Sequence, residues 1–234
     1  MACEVITNQL ELYFKKTIPD GCVFALLPKT PTGMDDFKKF LLDTRPKHLI
    51  KLGSLGPYRL MHKQLEVFLE EASIPYTSFD CAPLMNHIFI EQYENHVLEN
   101  YRGNATAPYV DPQALASAID QCYLNPQHYY KNYNATGTEQ YTIDDIADTL
   151  TKNGFPVDKI DHTGYDKTHA TLKDLAPDFQ LMKTLGRAYI DDDWAPSVSE
   201  DLPSIFGAYS RTFEQFVKQD QDIYTQSFIH DRWL

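Results

Sequence analysis

The stretch Lys47–Asn86, KHLIKLGSLGPYRLMHKQLEVFLEEASIPYTSFDCAPLMN, constrains the fold of this chain more than any other. It reads as strand, glycine-containing turn, amphipathic helix and strand, which is one complete βαβ unit. Leu49, Ile50 and Leu52 form a short apolar run ending at Gly53, Ser54 and Gly56, as a buried parallel strand opening into a loop would. Pro57 suits the first turn of a helix, where its missing N–H has no bond to lose. On that helix Leu65, Phe68 and Leu69 follow the i, i+3, i+4 rule, so one face packs on the sheet. Ser73 and Pro75 stop it, and Tyr76 to Phe79 return as the next strand.

The flanking sequence repeats this alternation. A short helix is expected over residues 9–17, a strand over Cys22–Leu27 and a helix over Met34–Asp43 that Arg45-Pro46 ends. Alternating strands and helices specify a parallel sheet with crossover helices. Past Pro83 the reading is a helix over residues 84–100, a loop with a short strand to Val110, and a helix opened by Asp111-Pro112. Tyr129–Ala135 reads as a strand, Thr142-Ile-Asp-Asp145 as a capped helix start and Val157–Asp161 as a short strand. From His169 the pattern becomes helical, over residues 172–190 and from Ser204 or Ser210 to Tyr224.

At 234 residues the chain can bury roughly 70% of its unfolded surface, enough for one large or two small domains. Its formal net charge of −12 repels polyphosphate and argues against general nucleic-acid binding. The four cysteines, Cys3, Cys22, Cys81 and Cys122, form no CxxC pair, so neither a zinc site nor a disulfide framework is expected. With no signal-peptide pattern and no apolar run of membrane-span length, the expected setting is reduced and cytoplasmic, without a membrane partner.

Several segments together resemble the NmrA-like branch of the atypical short-chain dehydrogenases/reductases, a Rossmann superfamily that binds NAD(P). HLIKLGS resembles the family strand whose end flanks the nicotinamide, HKQLE at 62–66 its His-x-x-x-Glu helix, and IPYTSFDCAPLMN at 74–86 the following strand and Met-Asn loop. YVDPQALASAI at 109–119 and YNATGTEQYTIDDIADTL at 133–150 resemble the segments that build the family's substrate lobe, and SRTFEQFVKQ at 210–219 its C-terminal helix. The resemblance implies an incomplete Rossmann-like parallel sheet over residues 1–110 and a smaller, mostly helical substrate lobe over 111–234, interleaved with it.

The chain departs from that pattern at one decisive place. The family's GxxGxxG turn, whose bare backbone admits a pyrophosphate at a helix N-terminus, has no counterpart, because Gly21 and Gly33 are the only glycines before Gly53. Two βαβ units of roughly 30 residues each account for the difference, so the expectation is an N-terminally truncated member. No cofactor is then expected on the isolated chain, and NAD(P) only if the site is completed differently. An incomplete sheet exposes an edge, so a homo-oligomer or partner subunit is expected there, with a small-molecule ligand.

His62, Asp80 and Tyr58 are the candidate catalytic residues. His62 and Glu66 share a helix face at i, i+4 and suit acid–base work, part of a metal site or structural pairing. Asp80, where the family often carries Arg, puts a carboxylate at a strand's C-terminal end. Tyr58 has Lys63 at i+5, out of phase for a Tyr-x-x-x-Lys pair. Asp161, His162, Asp166 and His169 fit no metal motif and read as a solvated loop. Met85, Asn86, Phe89 and Tyr109 are the expected substrate cleft, because ligands of open α/β sheets lie off the carboxyl ends of the strands. The reading is a small-molecule-binding, regulatory or scaffold protein. Its alternative is an enzyme acting on a small organic substrate, either a non-redox cyclase or isomerase, or an NAD(P)H-dependent reductase completed by a partner chain.

Overall fold

The computed structural model describes residues 18–27, 31–55, 59–100, 103–162 and 197–227. The helices expected over 9–17 and 172–190, together with Tyr58, Asp166 and His169, lie outside them. The chain divides into two compact units, one of Met1–Ala82, Pro112–Thr136 and Ser199–Ser210, the other of Pro83–Asp111, Gly137–Val198 and Arg211–Leu234.

The first unit is built on a parallel sheet of β1 (Cys22–Leu26), β2 (His48–Ser54), β3 (Tyr76–Cys81) and β6 (Lys131–Ala135), in the order β1-β2-β3-β6. Crossover helices α1 (Pro31–Thr44), α2 (Arg59–Glu71) and α3 (Pro112–Cys122) connect them, and α5 (Asp201–Phe206) follows later in the chain. The expected α/β parallel sheet therefore forms, with the βαβ unit of residues 47–86 at its centre. Among the described strands none pairs with the outer side of β1.

Because successive side chains in a strand face opposite ways, β2 and β3 are buried on both faces. Leu49 and Tyr76 pack with Leu41 of α1 and Leu65 and Leu69 of α2, all at most 1% exposed. Burying each such side chain stabilises the fold by roughly 1.5–3 kcal/mol. On the opposite face Phe79 meets Tyr133 of β6 and Phe206 of α5, with ring centroids 5.6 and 5.8 Å away. Gly207, at φ +60°, ends α5 in the left-handed conformation that glycine adopts without strain.

A buried histidine ties the start of β2 to the loop after α3. The Leu124 N–H donates to His48 Nδ1 at 3.3 Å, which assigns the ring proton to Nε2. Nε2 then donates to Thr77 Oγ1 at 2.9 Å, and the Thr77 hydroxyl donates to the His128 carbonyl at 2.8 Å. Burial, and secondarily His128, bring the His48 pKa down to about 4, so the ring is neutral at pH 7.

The second unit holds a small sheet of β4 (Tyr93–Glu94), β5 (Val97–Glu99) and β7 (Lys159–Asp161), with α4 (Ile143–Lys152) and α6 (Phe213–Ser227). The expected helix over 84–100 does not form. A π-helical turn, Ile88–Gln92, gives way to a β4–β5 hairpin whose two turn residues, Asn95 and His96, sit at φ 49° and 63°. Two consecutive positive φ values suit a tight hairpin and forbid a right-handed helix. By contrast α4 starts as its sequence specifies: Thr142 and Asp145 form a reciprocal capping box, which contributes about 1 kcal/mol.

The core of this unit gathers Met85, Phe89, Tyr109, Ile146, Leu150, Phe213 and Phe216. Arg211 locks the start of α6: Nε and Nη2 each lie 2.8 Å from an Asp111 carboxylate oxygen, and Nη1 lies 2.9 Å from Asp220 Oδ1. Two carboxylates around one guanidinium raise the Arg211 pKa despite its burial.

Candidate functional site

The parallel register of β2 and β3 sets Lys51 beside Ser78 and Gly53 beside Asp80. All four share the side-chain parity of Leu49 and Tyr76, so they face α2. From α2, His62, Lys63 and Glu66 turn toward the same place, as their i, i+3, i+4 spacing allows. Lys51, at 0% exposure, donates to Glu66 Oε1 at 2.8 Å and to Ser78 Oγ at 2.6 Å. Lys63, half-exposed, reaches Glu66 Oε2 at 2.9 Å and lies 3.9 Å from Asp80 Oδ2. Ser78 Oγ in turn lies 3.4 Å from Asp80 Oδ1.

The electrostatics follow from burial and this pairing. Burial lowers the Lys51 pKa, and Glu66 opposes that by favouring the ammonium. Burial would raise the Glu66 pKa, but Lys51 and Lys63 outweigh it and hold the carboxyl below its ordinary range. His62 is brought down to about 4 by burial and then by the Lys51 charge, so it is neutral at pH 7. Burial, and then Asp80, raise the Cys81 thiol.

The structure therefore brings His62 and Asp80 of the candidate catalytic set together around Gly53. A Cβ at Gly53 would stand 2.8 Å from Asp80 Oδ1 and 3.0 Å from His62 Nδ1. Glu66 lies on the same face as His62, and its oxygens accept from the two lysines. Lys51 and Ser78 escaped the sequence reading. Their signal was a lysine inside an apolar strand, Leu49-Ile-Lys-Leu52, which a buried sheet tolerates only with a counter-ion on the helix above it. Among the described residues no group of three or more His, Cys, Asp or Glu could hold a metal ion.

The missing side chain of Gly53 makes room for Asp80 and His62, that of Gly21 for the Lys47 stem, and that of Gly137 for the Tyr109 carbonyl. These glycines serve internal packing, whereas a dinucleotide turn keeps bare backbone open to its ligand.

The expected cleft residues Met85, Asn86, Phe89 and Tyr109 all belong to the second unit and are at most 5% exposed. Three of them pack in its apolar core. That unit also carries a surface cleft of about 570 Å³ lined by Glu139, Tyr141, Asp145, Asp148, Lys152 and Glu214. Glu214 pairs with Lys152 and with Lys218, and the Tyr141 hydroxyl donates to Glu139.

Solved structures share this architecture. The NADPH-dependent quinone oxidoreductase of Escherichia coli, solved with NADPH, is similar at a TM-score of 0.62 and 14% identity, over 95% of this chain and 80% of that one. Triphenylmethane reductase of Citrobacter sp. is similar at 0.61 and 17% identity, over 92% and 80%. A nucleoside-diphosphate-sugar epimerase of Staphylococcus aureus is similar at 0.57 and 14% identity, over 91% and 80%. The chain thus has the Rossmann-like fold of these proteins, at identities that carry fold alone. No family model and no curated relative matches the sequence.

Proposed function

We propose that this chain is a small-molecule-binding protein of NmrA-like descent, regulatory or scaffolding in role, that does not hold NAD(P) through a glycine-rich turn. The observation that carries this reading is the closed charge network that runs from the middle of β2 and β3 to Asp80 near the carboxyl end of β3. Lys51 and Lys63 both bind Glu66, with Asp80 beside them, where an active site of this fold would keep a base poised for substrate. A histidine of pKa about 4 is likewise a weak base at pH 7. The absence of a GxxGxxG turn from the sequence agrees with it.

The outer side of β1 is the surface on which we place self-association or a partner subunit, and light scattering of the purified chain tests that placement. Calorimetric titration with NADPH tests the central reading, which requires no saturable micromolar binding. A second reading rests on one specific observation, the convergence of Asp80 Oδ1 and His62 Nδ1 beside Gly53. In that reading the chain is an enzyme on a small organic substrate, a cyclase or isomerase, or a reductase completed by a partner chain. Turnover abolished by Asp80→Asn with stability retained would select it.

A further inference from the structure

The loop between α3 and β6, residues 123–130, is tied down by polar contacts at its two ends. Leu124 and Tyr130 are 40% and 41% exposed, and both take left-handed φ values, 52° and 59°, which are unfavourable for a residue with a Cβ. Three hydrogen bonds hold the loop to the amino ends of β2 and β3. The Leu124 N–H donates to His48 Nδ1, the Thr77 hydroxyl to the His128 carbonyl, and the Tyr130 N–H to the Tyr76 carbonyl at 2.6 Å. The first differs from the others because its acceptor is a titratable nitrogen. With the Nε2 proton committed to Thr77 Oγ1, Nδ1 is the one ring position left for a second proton. A proton there turns the acceptor into a donor facing the Leu124 N–H, and the bond is lost.

We infer that His48 is an acid-operated latch of this loop: protonation of Nδ1 releases Leu124, lets the two left-handed residues relax, and shifts the loop toward an open form while the sheet stays folded. The latch lies at the amino ends of the strands, away from Asp80, and stands independently of the small-molecule reading. The titratable groups around the ring are Cys22, its register partner on β1, Lys47 beside it in the chain, and His128 and Tyr129 of the loop, with Tyr133 of β6 bound to His128. None of these is a carboxylate that would offset an imidazolium, and burial and the His128 charge both oppose one. In the closed loop the His48 pKa is about 4, and a ring opened to water regains about 6.5. The closed form therefore loses stability as pH falls below 6.5, by about tenfold per pH unit, and levels off near 4.

The test is amide hydrogen exchange of the full chain, read by NMR between about pH 6.5 and 4.5 and corrected for the intrinsic exchange rate at each pH. In the wild type the protection of the Leu124 amide is expected to fall about tenfold per pH unit. It is also expected to stay well below that of Ile50, in the middle of β2, at every pH, because a local opening needs less free energy than unfolding of the sheet. In His48→Leu, which keeps His128, Leu124 is expected to be weakly protected at every pH with the slope gone. Leu124 protection that is flat with pH in the wild type, or equal to that of Ile50 throughout, would overturn the latch. So would a slope retained in His48→Leu, which would assign the titration to another group, or full Leu124 protection in that variant. Should His48→Leu fail to fold, the wild-type slope and the gap between Leu124 and Ile50 decide the matter.

Discussion

Lys51 Nζ lies 2.8 Å from Glu66 Oε1, joining the middle of the second strand to the helix above it through a buried ion pair. Breaking such a pair from one side is costly, because the remaining charge loses its compensation in a place water does not reach. Lys51→Met is therefore expected to destabilise the protein by about 3 kcal/mol, with Lys63 keeping part of the Glu66 charge matched. The double variant Lys51→Met/Glu66→Leu is expected to recover most of that loss. Urea denaturation of the four-protein cycle measures the coupling, and additive losses would contradict the pairing.

Acid should weaken the fold in a defined window. His48 and His62 have folded-state pKa values of about 4 against about 6.5 in the unfolded chain. Below pH 6.5 the unfolded state binds the extra protons, so stability falls as pH drops from 6.5 and levels off near 4. Each histidine contributes at most about 3 kcal/mol to that loss. NMR titration of the imidazole protons is expected to show two rings that do not titrate between pH 7 and 5. Midpoints near 6.5 for both would contradict their burial.

Three glycines should rank by what a methyl group would strike. Gly137→Ala is expected to be the most damaging, because its Cβ would collide with the Tyr109 backbone carbonyl. Gly53→Ala should cost about 1–3 kcal/mol, as Asp80 and His62 are pushed apart. Gly207→Ala meets open space and carries only the left-handed backbone cost, about 1 kcal/mol. Thermal melts of the three variants check the order.

Arg211→Lys is not a conservative change here. Lysine cannot reproduce two parallel bonds to Asp111 while also reaching Asp220, so two buried carboxylates share one point charge. A loss of about 2–4 kcal/mol is expected, approaching that of Arg211→Met, in urea denaturation. A lysine variant within 0.5 kcal/mol or so of wild type would contradict the bidentate role.

Much of the first unit was legible in the sequence, because period-two and period-3.6 apolar patterns alternate cleanly from Cys22 to Phe79. The helix expected over 84–100 failed because Met85, Ile88 and Phe89 carry a helical spacing that stops at Asn95-His96, a pair whose positive φ values mark a hairpin turn. The site was legible in part. Of the polar cluster around Gly53, His62 and Asp80 stand out in the sequence by residue type, but Lys51 and Ser78 sit where strand residues are normally apolar or silent. The Arg211–Asp111 clamp spans 100 residues of sequence, a separation no local pattern encodes.

The proposed function gives this chain a Rossmann-like fold without an autonomous dinucleotide site. Calorimetric titration of NADPH into the purified 234-residue chain tests it most directly. Heats indistinguishable from dilution across the micromolar range are expected. A saturable isotherm with micromolar Kd and a stoichiometry near one ligand per chain would contradict it.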